Sequence, residues 1–322
     1  MSMDKAIYNF VRRGIVPALQ GLPLGGAPIG IDASGRLFKQ GVGRDFYVAG
    51  NWGSDNNDGS SWEQAFLTLA KAITVSNADV AADKYGWATR NRIFVSADPT
   101  TESLTVFPAK CDIIGVGSCD AYDMPTLKGK HTSATEHLGC RWFNFRFRPN
   151  AAGDIFTLSA YDNGMGFYGC QFVGVESTIT TSNAIITAAC ELLTVEGCQF
   201  DGAFGNEVIY IGTGNASGLK IRNNIIREGA SDGVYVKTDA TFTSVNGAGL
   251  IDNNVIHVAA ITINDVSQKC LITRNRCISD AASGTGGVGV FVGNTKLCSD
   301  NQITAAGITF MYPLAFDADG TT

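Results

Sequence analysis

LKIRNNII, residues Leu219–Ile226, carries the pattern that decides the fold: apolar, any, apolar, any, turn-former, Asn or Cys, any, apolar. Six further segments follow it: CRWFNFRF from Cys140, MGFYGCQF from Met165, LTVEGCQF from Leu193, GLIDNNVI from Gly249, CLITRNRC from Cys270 and KLCSDNQI from Lys296. Their last residues are Phe147, Phe172, Phe200, Ile226, Ile256, Cys277 and Ile303, at steps of 25, 28, 26, 30, 21 and 26 residues. A period in this range marks a solenoid. Positions one, three and eight are mostly apolar and the residues between them polar, the alternation of a strand with one buried face. Position five is Asn144, Gly169, Gly197, Asn223, Asn253, Arg274 and Asp300. All but Arg274 are types that tolerate a left-handed backbone, so a bend between two strands is expected. Position six ends in four consecutive asparagines, Asn224, Asn254, Asn275 and Asn301, which predicts a ladder of stacked amides.

Two solenoids share this grammar, the leucine-rich repeat and the right-handed parallel β-helix. Leu fills few of the apolar sites, coil length drifts, and STITTSNAIIT (Ser177–Thr187) is β-branched rather than helical in period. These features favour an all-β, right-handed parallel β-helix of about ten coils, roughly 50 Å long at strand spacing.

Upstream, FYVAGNWGSDNNDGSSWEQAFLTLAKAI (Phe46–Ile73) places a strand, a Gly-Ser-Asp turn and a helical pattern in succession. Ser60 with Glu63 fits a capping box, and Trp62, Phe66, Leu69, Ala70 and Ile73 share a helical face. A helix at about residues 60–76 is predicted. This stretch resembles the entry cap of pectate-lyase-like β-helix proteins, a likeness that extends over residues 45–322. The resemblance implies that the helix plugs the open end of the solenoid, whose edge would otherwise invite strand pairing. RIFVSA (Arg92–Ala97), SLTVFP (Ser103–Pro108) and CDIIGVG (Cys111–Gly117) are expected to be the first strands.

The chain has 322 residues, 45% hydrophobic and only 17% charged, enough for one continuous core. Its net charge is −6, with no Lys/Arg cluster, so no nucleic-acid partner is expected. MSMDKAIYNFVRRGIV lacks an uninterrupted apolar core, and no run is long enough to span a bilayer, so neither a secretory signal nor a membrane partner is expected. Nine cysteines without a CxxC pair read as buried free thiols, a stray disulfide or metal site being the alternative. Reduced thiols fit assembly in a cytosol.

Residues 1–44 differ from the rest. Asp4–Arg13 can form a short helix, GIVPALQGLPLGGAPIG (Gly14–Gly30) is rich in Gly and Pro yet apolar, and IGIDASGRLFKQ (Ile29–Gln40) reads as a hairpin. Either this arm folds back along the solenoid or it docks on a partner. Its apolar residues Ile7, Phe10, Val11, Ile15, Leu19, Leu22, Leu24, Ile29, Leu37 and Phe38 are the candidate assembly contacts. An apolar arm followed by a compact β-helix resembles the layout of tailed-bacteriophage virion proteins, namely capsid decoration proteins, head fibres and tailspikes. That resemblance implies a homotrimer on the virion surface, assembled in the host cytoplasm and attached to a capsid or tail protein through residues 1–44.

Enzymatic readings need specific groups. The GHG and RIK strings of polygalacturonase-type enzymes and the WxDH of calcium-dependent pectate lyases are absent. Asp201, Asp232, Asp252, Asp265, Asp280 and Asp300 are expected mainly in turns, serving their own backbone. The best carboxylate pair for glycoside hydrolysis is Asp201 with Glu228, whose offsets point to different sides. His131 and His137 bracket GKHTSATEH (Gly129–His137), which reads as a solvated loop, a metal site being the alternative; His257 reads as a surface or satisfied histidine. DNNDG (Asp55–Gly59) is expected to form Asx turns rather than a calcium loop, and the Asn215 sequon carries little weight. No catalytic residue, cofactor or metal ligand is assigned. The expectation is a non-enzymatic virion component of capsid decoration or head-spike type. The alternatives are a tailspike-like polysaccharide lyase or hydrolase and an adhesin for cell-surface glycan.

Overall fold

The computed structural model describes residues 29–31, 37–39, 43–82, 89–98, 100–117, 124–133, 137–159, 162–176, 179–202, 204–227, 236–238, 249–258, 263–265, 270–279, 290–292, 298–305 and 308–311. Three sheets of ten, seven and ten strands run the length of a right-handed parallel β-helix. The first sheet begins at Asp45–Val48 and holds positions one to four of each repeat; the second holds positions seven and eight; the third spans His131–Thr132 to Val290–Val292. Successive strands in each sheet pair in parallel, except that Ile308–Met311 turns back antiparallel on Gln302–Ala305 and closes the second sheet.

Equivalent residues pair in register from coil to coil. Trp142, Phe167, Val195, Ile221, Ile251, Ile272 and Cys298 form one column of the first sheet. Phe147, Phe172, Phe200, Ile226, Ile256, Cys277 and Ile303 form its counterpart in the second. In the third sheet, whose strands the repeat template does not contain, His131, Phe156, Ile185, Ile209, Val236, Ile263 and Val290 align. The Phe172 and Phe200 rings stack at 4.8 Å and 8°, so the strand spacing becomes a ring spacing.

The bend at position five is left-handed in all seven copies, from φ 53° at Asn253 to 64° at Gly197, and Arg274 adopts it too at φ 56°. That geometry costs a non-Gly residue about 1–2 kcal/mol. Arg274 therefore keeps a conformation that the stacked coils impose, and its guanidinium is tied to Asp252 in the preceding coil.

The asparagine ladder forms as expected. The Oδ1 of each amide accepts from the backbone N–H of the equivalent residue one coil earlier: Cys198 to Asn224, Asn224 to Asn254, Asn254 to Asn275 and Asn275 to Asn301, at 2.8–3.0 Å. Each Nδ2 donates to the position-three carbonyl of the coil before, at 2.9–3.0 Å. The thiols of Cys170 and Cys198 do the same job toward Trp142 O and Phe167 O at 3.7 and 3.4 Å. Thiol and amide are thus two versions of one donor in a single column.

The helix α1, Leu69–Ala81, starts nine residues later than Ser60, and Thr68 is its N-cap. Residues 54–66 are taken up by a loop that returns to the first strand, with Ser54 N donating to Ala65 O and Phe66 N to Tyr47 O. Asp55 ends this loop by accepting from Leu67 N, Thr68 N and the Thr68 hydroxyl. Asp58 forms the expected Asx turn with Ser60 N. Glu63 and Ala70 are exposed, Trp62 packs edge-on against Tyr47 at 5.0 Å, and Leu69, Ala72 and Ile73 turn inward over the first coil. Asn91–Ser96 and Cys111–Val116 are strands, but Ser103–Pro108 is not; only Thr100–Thr101 pairs nearby. The segment instead crosses where the third sheet has not yet begun and buries Leu104 and Phe107.

Candidate functional site

The outer face of the first sheet carries the densest chemistry. One column reads Asp45, Arg92, Asp112, Arg141 in register. Arg92 clasps Asp45 with two bonds of 2.9 Å, and Arg141 clasps Asp112 with two of 2.7 Å. Arg90 joins Asp112 from the side at 2.9 Å and also donates to Gly139 O. The Asp112 carboxylate is completely buried beneath the two guanidinium groups. A buried carboxylate with bidentate partners is satisfied, and its role is to tie three coils.

The adjacent column is Tyr47, Phe94, Ile114, Phe143 and Tyr168, followed by Glu196, Arg222 and Asp252. Tyr47 stacks on Phe94 at 5.5 Å, and Phe143 on Tyr168 at 4.8 Å. In each pair the stacking covers one face of each ring. Further along, Arg222 bonds Glu196 at 2.8 Å. Asp252 accepts from Arg274 and Thr273, and the Arg274 hydrogen bond holds its carboxyl below the usual carboxylate range. Asp201, Asp252 and Asp265 lie in strands rather than turns, and Asp201 and Asp252 find partners across coils in Gln171 and Arg274.

Asp201 accepts from Gln171 Nε2 at 2.7 Å and Gln199 Nε2 at 3.2 Å. Its suggested partner Glu228 lies outside the described residues, as do Asp232 and Asp280. Asn215 is bonded to Glu191 and accepts from both Ser217 N and the Ser217 hydroxyl, so its amide already sits in a closed local network.

His131 and His137 overturn the reading of a solvated loop. His131 is fully buried at a core position of the third sheet, 4.8 Å from Phe156, and burial pushes its pKa down to about 3. His137 is 7% exposed beside Phe107, and burial lowers its pKa while the Asp162 charge raises it. The Asp162 side chain accepts from the Ser133 hydroxyl and Ser159 N, at 2.9 and 2.6 Å, and burial raises its pKa. The strand pattern around His131 was the available signal: His131 and Thr132 continue the spacing of the third sheet, as Phe156 and Thr157 do one coil on. The backbone of His257 lies in the strand Val255–Val258.

Six cysteines, Cys111, Cys140, Cys170, Cys190, Cys198 and Cys270, are buried free thiols. Burial raises the thiol pKa at Cys140, Cys190 and Cys198, which suppresses thiolate chemistry. Among the described residues, no group of three or more His, Cys, Asp or Glu side chains is placed to hold a metal ion. No described helix is long and apolar enough to cross a membrane.

Of the candidate assembly contacts, Ile7, Phe10, Val11, Ile15, Leu19, Leu22 and Leu24 lie outside the described residues. Ile29, Leu37 and Phe38 fall in the expected hairpin, where Ile29 pairs with Lys39, Gly30 with Phe38 and Ile31 with Leu37. This two-stranded sheet is separate from the three sheets of the solenoid. Compared with family models, curated proteins and solved structures, the chain matches none.

Proposed function

We propose that the protein is a non-enzymatic structural shaft of a tailed-bacteriophage virion, a capsid decoration or head-spike protein. Residues 1–44 attach it to a capsid or tail protein, and the β-helix projects as part of a homotrimer. The observation that carries this reading is how the outward polar groups are used. Asp45, Asp112, Glu196, Asp201 and Asp252 each bond a residue of a neighbouring coil, which stiffens the shaft and leaves these carboxylates committed. The apolar, Gly- and Pro-rich arm in front of the solenoid, and a hairpin too small to be stable alone, support attachment through that end.

Deleting residues 1–42 tests the proposal. The cut spares Gly43 and Arg44, whose backbone packs against Arg90 and Asn91. The shaft should fold, with unchanged β-sheet circular dichroism, and fail to join phage particles in a complementation assay. Incorporation at the full-length level would refute anchoring by the arm. Turnover of host surface polysaccharide by the truncated protein would favour a depolymerase, and glycan binding without turnover an adhesin.

A further inference from the structure

Two histidines hold one short segment of chain through hydrogen bonds that only a neutral imidazole can accept. The Leu104 N–H donates to His131 Nδ1 at 3.3 Å, and the Phe107 N–H donates to His137 Nε2 at 3.4 Å. Each ring nitrogen offers a lone pair, which protonation removes. A protonated ring would turn an N–H toward an N–H and place a charge among apolar groups.

The segment they hold connects to the cap. Leu104 O accepts from Thr132 N at 2.8 Å, so Leu104 is bonded on both sides to the strand His131–Thr132. Two residues earlier, the Glu102 carboxylate accepts from Leu69 N and Ala70 N, both at 2.9 Å, and so caps the first turn of α1. α1 in turn covers the first coil. Ring nitrogens, crossing segment and cap form one continuous chain of contacts.

His131 meets the rings of Phe147 and Phe156 and the backbone of Gly129, and burial alone displaces its titration. His137 meets Phe107 and the charge of Asp162, whose carboxylate is shared with Ser133 and Ser159. Acidification also protonates Asp162, because burial has raised its pKa, and so removes the one counter-charge described near His137.

We propose that His131 and His137 form an acid-sensitive clasp: protonating them releases Leu104–Phe107 and with it the Glu102 cap on α1, opening the solenoid at this end while the later coils stay stacked. The later coils resist because their ladder is built from the amides of Asn224, Asn254, Asn275 and Asn301, which do not titrate. The clasp operates whether or not residues 1–44 anchor the protein. In the open form a histidine titrates near its ordinary 6.5, so at pH 4 His131 alone shifts closed against open by about 300-fold.

The test is hydrogen–deuterium exchange on the full-length protein at pH 7, 5.5 and 4, corrected for intrinsic exchange. Residues 102–109 and α1 should lose protection as pH falls, while peptides covering residues 219–227 and 249–256 keep theirs. Replacing the rings by a non-titrating acceptor, His131→Gln with His137→Gln, should remove the loss of protection at 102–109 between pH 7 and 5.5, a window above the ordinary carboxylate range. Protection there that is unchanged between pH 7 and 4 in the wild type overturns the clasp. So does equal loss along the whole shaft, or a response between pH 7 and 5.5 that persists in the double variant. If the double variant does not fold, the wild-type pattern decides alone.

Discussion

Replacing Asn254 by alanine removes four hydrogen bonds from the centre of the ladder. Oδ1 accepts from Asn224 N and Asn224 Nδ2, both at 3.0 Å. Nδ2 donates to Ile221 O at 3.0 Å and Asn275 Oδ1 at 2.8 Å. The site has no exposure to solvent, so water does not replace the amide. The Asn224 N–H loses its acceptor and Ile221 O its side-chain donor, each stranded group costing about 1–3 kcal/mol. The variant should therefore lose about 2–6 kcal/mol, a large share of the roughly 5–15 kcal/mol that a folded chain has to lose. Because a solenoid is stabilised coil by coil, the loss should concentrate at the interfaces on either side of Asn254. Urea unfolding followed by far-ultraviolet circular dichroism measures the total, and hydrogen exchange locates it. The control is Asn253→Gly. Asn253 is exposed at φ 53°, and Gly relieves the left-handed strain while losing only an exposed amide bond to Asn223, so its change should stay within about 0.5 kcal/mol. If Asn254→Ala costs no more than this neighbour, the ladder is decoration rather than support.

Cys198→Asn should lengthen the ladder by one rung. Its Nδ2 would take over the thiol's bond to Phe167 O, and urea unfolding should show it neutral or up to about 1 kcal/mol more stable. Phe200→Ala removes a fully buried ring stacked on Phe172, and should cost about 3–5 kcal/mol in the same assay. Asp112→Asn leaves Arg90 and Arg141 facing a neutral amide and should cost about 2–3 kcal/mol, with little dependence on salt because the carboxylate is buried. Overall stability should fall as pH drops below 6.5. The depressed His131 makes the unfolded chain bind more protons in that window, worth about 4 kcal/mol by pH 3.5. Asp162 acts the other way over the lower part of the window, since its raised pKa makes the folded state bind the extra proton there. Unfolding curves collected from pH 7 to 3.5 measure the sum, and His131→Gln should flatten it.

The repeat made the fold legible because stacking forces equivalent residues into equivalent environments. The columns through Trp142 and Phe147, the left-handed bends and the asparagine rungs could all be aligned by eye. Arg274 looked like a violation only because residue type was standing in for backbone geometry, which its neighbours impose. The cap was harder. Ser60 and Glu63 satisfy a local capping rule, but Thr68 is the N-cap, and the further acceptor for the first turn is Glu102, 33 residues downstream of Leu69 and beyond any local pattern. The burial of the histidines is hidden for a related reason. A two-residue strand such as His131–Thr132 has no periodicity of its own, and its burial depends on Phe156 one coil later and Leu104 one coil earlier. The paired carboxylates were visible only as isolated charges until the register placed Asp112 between Arg92 and Arg141.

Spin labels on cysteines introduced along one outward column of the second sheet test the stacking of coils most directly. Thr126 begins this column, and Gln199, Val255, Arg276 and Gln302 lie three, five, six and seven coils further on. Pulsed dipolar distances from residue 126 to each should lengthen in proportion to the number of coils, by about 4.8 Å for each one. Distances that level off, or that do not follow this order, would contradict a single stacked shaft.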